Sequence, residues 1–314
     1  IIDVGKYDKL IEIMEGANVR RGIDEIQKAA KDIKYILENQ IPSKEQSAMF
    51  HLEPHTSNQG RMHPSAVSET LTKKRPETDG LRQLKGQTED KLDTVRRLEC
   101  ILTQQAEKAK KLLEEKRSVV IKGNPGEGKT TTALHLIDNE IYTERRVVVY
   151  SPSDWKMVDT DFVGIIVMED IFGQSDLDPD LLEKWMVYLP TIQEHVDAGK
   201  LQVIITTRVD ILSKAYYMLG SLKLFSDDMS LMLSSKDLEK SEKMGIMNRE
   251  LRRYKRNMEE DEKEKCIANF DGLIGFPKCC SLFAGDGDLF TRGATFFKFP
   301  EKYFVENITK LKGT

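Results

Sequence analysis

Short apolar runs alternate with helical stripes through the middle of the chain. Four runs rich in β-branched residues have the length of buried strands, at 118–122, 145–150, 162–168 and 201–208. Between the last two, the segment 178–198 repeats apolar residues at the spacings of a helix. Strands that alternate with helices predict a parallel α/β sheet. The run 222–225 predicts a short fifth strand.

The sequence before the first strand has three different patterns. Residues 1–40 carry an apolar stripe that predicts a helical segment. Residues 41–88 are polar and proline-containing, which predicts a flexible linker. Its His51, His55 and His63 lack further ligands for a metal site. A charged amphipathic pattern predicts one helix over 89–116.

The last part of the chain is first charged and then apolar. Residues 235–265 favour helices, and the basic cluster at 249–256 is followed at once by acids at 259–264, which indicates local ion pairing. Residues 267–299 are apolar and predict a small buried helical unit. The predicted division is a helical segment 1–40, a linker 41–88, an α/β core 89–230 with its leading helix, and a helical subdomain 231–314.

Composition narrows the class of protein. The 314 residues carry 48 basic and 52 acidic side chains, a net charge of −4, so no basic field predicts nucleic acid or an anionic membrane as a direct partner. No apolar run approaches the length of a membrane span. The four cysteines lack metal-ligand spacing and predict buried reduced thiols and a cytoplasmic location. The chain begins at Ile1 without a signal-peptide pattern, so we expect part of a longer protein.

One motif carries the strongest chemical signal. The segment 123–130 reads Gly-Asn-Pro-Gly-Glu-Gly-Lys-Thr and fits the phosphate-binding P-loop, with a predicted strand before it and a helix after it. Free N–H groups at that helix start would face phosphates, Lys129 would neutralise them, and the Thr130 hydroxyl would bind Mg²⁺. The residues predicted to contact the nucleotide here are Gly123, Asn124, Pro125, Gly126, Glu127, Gly128, Lys129, Thr130 and Thr131.

Three further elements stand where a triphosphate site needs them. Glu169 and Asp170 end an apolar strand, so one carboxylate can hold Mg²⁺ and the other can orient the attacking water. Arg208 ends the following strand, where a guanidinium can reach the γ-phosphate. Pro277 opens an apolar helical run that could lie against the base. We therefore predict Glu169, Asp170 and Arg208 as catalytic, Thr130 and Glu169 as metal ligands, and Pro277 as a nucleotide contact.

These pieces, in this order, resemble the STAND class of P-loop NTPases, which are signalling switches related to NB-ARC domains. The greatest similarity is to the type called novel STAND NTPase 3. The resemblance covers roughly 119–310. The stretches that carry it are GNPGEGKTTTAL at 123–134, SPSDW at 151–155, EDIFG at 169–173, IITTR at 204–208 and IGFPKCC at 274–280.

The resemblance implies a sheet of strand order 5-1-4-3-2 and a small helical domain after it. It also implies Arg208 as the sensor of the γ-phosphate, Pro277 near the base, ATP and ADP as ligands, and slow turnover coupled to assembly in immune-type or cell-death-type signalling through flanking domains. The family usually has Asp-Asp where this chain has Glu169-Asp170. The longer Glu169 in the metal position predicts retained binding and slower hydrolysis.

Two other functions stay open at this point. A small-molecule kinase on the same fold would need an acceptor pocket and usually an arginine-rich lid, for which the basic stretch 249–256 could be mistaken. A scaffold that keeps nucleotide as a structural element would not need efficient hydrolysis, which the Glu169 substitution makes plausible. Transfer to an acceptor would identify the first, and bound nucleotide without turnover would identify the second.

Overall fold

The computed structural model describes residues 76–300, and the predicted helical segment 1–40, most of the linker and the three clustered histidines lie outside them. The strands are β1 (Ser118–Gly123), β2 (Arg146–Val149), β3 (Ile165–Glu169), β4 (Gln202–Thr207) and β5 (Ser230–Leu233). The helices are α1 (Asp79–Arg96), α2 (Gln104–Lys116), α3 (Lys129–Ile137), α4 (Pro152–Trp155), α5 (Pro179–Met186), α6 (Leu189–Asp197), α7 (Val209–Leu219), α8 (Lys240–Arg253), α9 (Glu260–Asn269), α10 (Phe276–Gly285), α11 (Gly287–Thr291) and α12 (Ala294–Lys298).

All five strands join one parallel sheet. Its order is β2-β3-β4-β1-β5, which confirms the predicted order 5-1-4-3-2 read from the other edge. In register, Val120 of β1 stands between Ile205 of β4 and Ser230 of β5. Because the strands are parallel, their carboxyl ends meet at one edge, where the loops after β1, β3 and β4 lie together.

Side-chain alternation divides the core of the sheet into two layers. On β4, Val203 and Ile205 pack into one layer with α5 to α7, whereas Ile204 packs into the other with α2 and α3. The helix α1 covers the β2 edge and contributes to both layers, with Leu84 in the first and Leu92 in the second. The leading helix is therefore part of the folded core.

The predicted single helix over 89–116 is wrong, because two helices occupy that region. The first begins at Asp79, ten residues inside the predicted linker, where the Thr78 hydroxyl accepts a hydrogen bond from the Leu81 N–H. The chain turns at Glu99, which has a left-handed backbone (φ 46°). Thr103 then caps α2 by accepting from the Ala106 N–H at 3.2 Å. The apolar stripe continues across this turn, which explains the incorrect prediction.

The predicted strand at 222–225 is also wrong. Lys223–Phe225 forms a 3-10 helix whose Leu224 and Phe225 are buried, and the fifth strand is Ser230–Leu233. A four-residue apolar run satisfies either a strand or a single helical turn, so periodicity alone could not separate them.

The helices α8 to α12 surround a core of their own, here called the helical subdomain. Four phenylalanines, Phe276, Phe283, Phe296 and Phe297, pack ring against ring within it. Three of the four predicted reduced thiols are buried here, at Cys266, Cys279 and Cys280. Burial raises the pKa of Cys266 to about 12 and that of Cys280 well above its ordinary value, so both thiols stay protonated.

Between residues 76 and 300, no helix combines the length and the apolar character needed to cross a bilayer.

Candidate nucleotide site

The P-loop leaves β1 and enters α3 in the arrangement that the motif predicts. Gly126 and Gly128 both have left-handed backbones, with φ values of 80° and 90°. Gly128 is the residue that precedes α3, so the free N–H groups of the first helical turn begin at Lys129. A Cβ on Gly126 would lie 2.5 Å from Lys278 Cβ, which excludes any larger residue at this position without a shift of the chain.

The Lys129 side chain folds back into the P-loop to which it belongs. Its side chain is buried, and Nζ donates to the carbonyl oxygens of Gly123 and Asn124 at 3.0 Å each. Burial lowers the pKa of Lys129, and the nearby Arg208 adds to this effect, although the Asp170 carboxylate opposes it. An ammonium group bonded only to neutral carbonyls can exchange them for phosphate oxygens at a net gain.

The two predicted metal ligands are in contact. Thr130 Oγ1 donates to Glu169 Oε1 at 2.6 Å, so the second residue of α3 contacts the last residue of β3. Both are hard oxygen donors of the kind that Mg²⁺ prefers. The other oxygen of Glu169, Oε2, accepts from Lys91 Nζ of α1.

Lys91 was not predicted from the sequence. Its Nζ also lies 4.5 Å from the centre of the Tyr150 ring, which follows β2. Burial on its own would lower the pKa of Lys91, but its interactions with Glu169 and Tyr150 outweigh burial, and the pKa is raised. Nothing in the sequence separates this lysine from the other charged residues on the polar face of an amphipathic helix.

Asp170 combines three unusual properties. Its backbone is left-handed (φ 46°), which costs a non-glycine residue about 1 kcal/mol or more. Its Oδ1 is buried without a hydrogen-bond partner among residues 76–300. Burial, followed by the adjacent Glu169 charge, raises its pKa against the opposing effect of Lys129. Because Oδ1 of Asp170 is desolvated and can still accept a hydrogen bond, this carboxylate could bind a ligand, a metal-bound water or a proton.

Arg208 follows β4 at the same edge of the sheet. Its guanidinium forms two bonds to Asp210, each of 3.0 Å, and a third to the Ser175 carbonyl oxygen at 3.0 Å. Its charge acts on both Lys129 and Asp170. Arg208 is therefore near the predicted phosphate position, and its bonds to the Asp210 carboxylate could be exchanged for bonds to a phosphate.

The P-loop contacts the helical subdomain through backbone hydrogen bonds at Pro125 and Gly126. The Gly275 N–H donates to the Pro125 carbonyl at 2.9 Å, and the Lys278 N–H donates to the Gly126 carbonyl at 3.3 Å. A Cβ on Gly275 would lie 2.5 Å from backbone atoms of Gly126 and Glu127. The start of α10 and the P-loop are therefore in direct backbone contact.

A side-chain bridge reinforces this contact. Ser235, buried after β5, donates its hydroxyl proton to Glu127 Oε2 and accepts from the Phe276 N–H at 2.7 Å. Burial raises the pKa of Glu127, although the Ser235 hydrogen bond works in the opposite direction. One serine hydroxyl thus links the P-loop to the first turn of α10.

Pro277 lines a cleft beside the P-loop helix. Its lining combines apolar side chains with the polar residues Glu127, Thr131 and Thr132 beside Gly128. The sequence did not predict the residues that complete it, which are Cys100, Ile101, Thr103, Gln105, Thr132, Leu233, Leu238, Ile246 and Arg249. Apart from Thr132 of α3 and Leu233 of β5, they come from the turn before α2, the first turn of α2, the segment before α8 and α8 itself.

The basic stretch 249–256 does not form one patch. Arg249 bonds the buried Glu250 at 2.6 Å, Arg252 pairs with Glu99, and Arg256 donates to the Ala284 carbonyl. The arginines are paired, but with residues other than the predicted acids at 259–264, whose described ion pairs are with lysines.

The structure thus brings the predicted site residues together at one edge of the sheet and at the start of α10. Thr130 bonds Glu169, the charges of Lys129 and Arg208 act on Asp170, and Pro277 lines a cleft together with Gly128 of the P-loop. The roles assigned to these residues remain predictions.

Comparisons with known proteins give a family for part of the chain. Residues 101–253 match the family described as Novel STAND NTPase 3. The match includes the P-loop, both acids after β3 and Arg208, but neither Lys91 nor Pro277. No curated protein matches the chain.

Solved structures of Pif1 helicases are similar at low identity. Bacteroides sp. Pif1 in complex with ADP-AlF4 has 16% identity and a TM-score of 0.28, with 55% of this chain and 50% of that chain covered. Bacteroides Pif1 bound to ssDNA has 16% identity and a TM-score of 0.26, with 55% and 51% covered. The chain thus spans about half the length of these helicases. At these TM-scores, the fold assignment is based on the strand order of the sheet and not on the similarity to these structures.

The family match, the sheet order and the P-loop between β1 and α3 agree with one another: residues 101–253 match the Novel STAND NTPase 3 family of nucleotide-dependent NTPases, and the fold around them is that of an α/β P-loop NTPase.

Proposed function

We propose that the chain is an ATP/ADP-dependent switch in which the nucleotide controls the contact between the sheet and the helical subdomain. The observation that carries this proposal is the backbone contact of Gly275 and Lys278 with the P-loop. A loop that reorganises around phosphate cannot move without affecting those two hydrogen bonds. Switches of this kind are biased by contacts that form or break at the γ-phosphate.

The phosphates would lie over the N–H groups that begin α3, with Lys129 exchanging its two carbonyl partners for phosphate oxygens. Thr130 and Glu169 would hold Mg²⁺, which when bound would offset phosphate charge. The donor set fits such an ion, since both side chains present oxygen atoms and the neighbouring Asp170 Oδ1 is buried and unsatisfied among residues 76–300. Asp170 would orient the attacking water and hold its proton.

Arg208 would report the γ-phosphate. In this structure its guanidinium bonds Asp210, and a triphosphate would draw it away from that partner. The base would enter the cleft lined by Pro277 and Ile101, so the nucleotide would contact both the core and the helical subdomain. Hydrolysis would remove the γ-phosphate contact and relax the interface. We expect slow turnover, signalling or self-association through flanking domains, and a cytoplasmic site of action.

A second function has its own observation. Glu169 bonds Lys91 and Thr130, and it is longer than the aspartate usual for the family, so hydrolysis could be too slow to serve a switch. The chain would then be a scaffold that keeps nucleotide as part of its structure. The scaffold function would be supported if the wild type binds nucleotide but hydrolyses ATP no faster than the Lys129→Ala variant.

Hydrogen exchange tests the switch directly. We expect the amides of Gly275 and Lys278 to exchange at different rates with ADP and with a non-hydrolysable ATP analogue. The Arg208→Ala variant should lose this difference while still binding both nucleotides, and Arg252→Ala, an exposed arginine paired with Glu99, should keep it. Identical exchange in both nucleotide states of the wild type would contradict the switch.

A further inference from the structure

A lysine from outside the matched family region holds the proposed metal ligand. Glu169 has both carboxylate oxygens engaged, with Oε1 bonded to Thr130 and Oε2 to Lys91. Lys91 lies on α1, ahead of residues 101–253. Its side chain is 34% exposed and that of Glu169 is 13% exposed, so this ion pair is only partly screened by water.

The position of Lys91 is fixed by the packing of its helix. Leu92 and Val95 of α1 are buried in the sheet layer that also contains α3. The buried Thr88 hydroxyl accepts from the Val148 N–H of β2 at 2.9 Å, which ties the helix to the edge strand. The packing of α1 against the sheet thus holds Lys91 at the edge where the strands end.

The ammonium and a divalent cation compete for the same carboxylate. Glu169 accepts hydrogen bonds from Lys91 at Oε2 and from the Thr130 hydroxyl at Oε1. To hold a metal between Thr130 and Glu169, the Thr130 hydrogen has to turn away from Oε1, and the nearby Lys91 charge opposes the cation. Lys91 has a second partner in the same conformation, because its Nζ lies 4.5 Å from the centre of the Tyr150 ring. Loss of the bond to Glu169 therefore need not leave the ammonium without a partner.

We propose that Lys91 is a competitor of the divalent cation, which pairs with Glu169 in the resting site and gives up that pairing, while keeping its contact with Tyr150, when the metal–nucleotide complex binds. The inference rests on the proposed function for its assignment of Thr130 and Glu169 as the metal ligands. It makes metal affinity a property set by α1 as well as by the P-loop. Removing the positive charge leaves Glu169 and Asp170 less compensated, which favours a cation.

The test measures Mn²⁺ binding to the full 314-residue chain in saturating ADP by electron paramagnetic resonance. We expect Lys91→Met to bind Mn²⁺ about five- to tenfold more tightly than the wild type, the effect of removing one half-buried competing cation. Lys91→Arg keeps the charge and should stay within about twofold of the wild type. Lys85→Met removes a lysine of similar burial on the same helix, paired with Glu77, and should change nothing.

The outcomes separate the two proposals. Mn²⁺ affinity that is unchanged or weaker in Lys91→Met overturns the role of Lys91 while leaving the metal ligands in place. A wild-type chain that binds no Mn²⁺ in ADP overturns the ligand assignment and the inference with it. Lys91→Gln is measured in parallel, with ADP affinity in EDTA as the check on folding, so a defect of one variant does not decide the result.

Discussion

The two sides of the P-loop are held in different ways. Towards β3, Lys129 and Thr130 are held by side-chain hydrogen bonds, and the Thr130 partner Glu169 is itself held by Lys91. Towards α10, Pro125 and Gly126 are held by backbone hydrogen bonds with no space for a side chain. The first set consists of charges and hydroxyls that a ligand can replace, and the second is a packed backbone contact.

This difference indicates how ligand binding at the P-loop could move the helical subdomain. Ligand binding on the charged side exchanges one set of polar partners for another at small net cost. The backbone side cannot adjust gradually, because packed contacts are either formed or broken. A change of loop conformation on the first side should therefore be passed to the helical subdomain as a discrete step.

The largest effect should come from the charged side. We expect Lys129→Ala to weaken ADP binding by about 100-fold or more, because charge-assisted bonds to phosphate are lost in a buried loop. Titration with a fluorescent ADP analogue measures it. Lys116→Ala, which removes an exposed lysine paired with Asp228, is the control and should bind normally. Affinity within a few fold of the wild type would show that phosphate does not lie at this loop.

Asp170→Asn should reduce ATP turnover by about 100-fold, the usual contribution of a positioned acid or base, while nucleotide affinity changes little. Single-turnover hydrolysis monitored by phosphate release measures the step. Asp161→Asn, at an exposed loop carboxylate, should retain full turnover. Unchanged turnover in Asp170→Asn would exclude this carboxylate from the chemistry.

Gly275→Ala tests the backbone side. The added Cβ meets the P-loop backbone at 2.5 Å, so we expect the free energy of unfolding to fall by about 1–3 kcal/mol, together with weaker nucleotide binding. Gly86→Ala is the matched control, because it lies in α1 with nothing within 4 Å of the new Cβ. It should stabilise the chain by up to about 1 kcal/mol. Equal thermal denaturation curves for the two variants would contradict a tight contact at Gly275.

Ser235→Ala should cost about 1–3 kcal/mol of unfolding free energy, because Glu127 and the Phe276 N–H lose their shared partner. Ser213→Ala removes an exposed hydroxyl on α7 and should be neutral within about 0.5 kcal/mol. Chemical denaturation gives both values. A loss no larger than that of the control would show that the bridge does not stabilise the interface.

The smallest expected effect is a gain in stability. The pKa of Asp170 is raised in the folded chain, so its charged form disfavours folding at neutral pH. Asp170→Asn should therefore stabilise the chain at pH 7, by less than the losses expected of Gly275→Ala and Ser235→Ala. That gain should shrink as the pH falls towards the ordinary aspartate pKa, where the wild-type carboxyl is also neutral. A gain independent of pH would point to backbone conformation instead of charge.

The sequence predicted the parts of the site that local chemistry specifies. The P-loop, the acids after β3 and Arg208 are recognisable because each stands at the end of a strand-like run, and the strand order followed from the resemblance. Long-range contacts had no such signal. Lys91 reaches Glu169 across 78 positions in sequence, and Ser235 reaches Glu127 across 108. The turn at Glu99 was hidden because apolar spacing continued through it.

The nucleotide switch is tested most directly by the identity of the nucleotide carried by the purified chain, released by denaturation and resolved by chromatography. We expect ADP in close to equimolar amount, because a resting switch has already hydrolysed its ligand. A chain that releases no nucleotide and fails to bind added ADP or ATP in the presence of Mg²⁺ would contradict it.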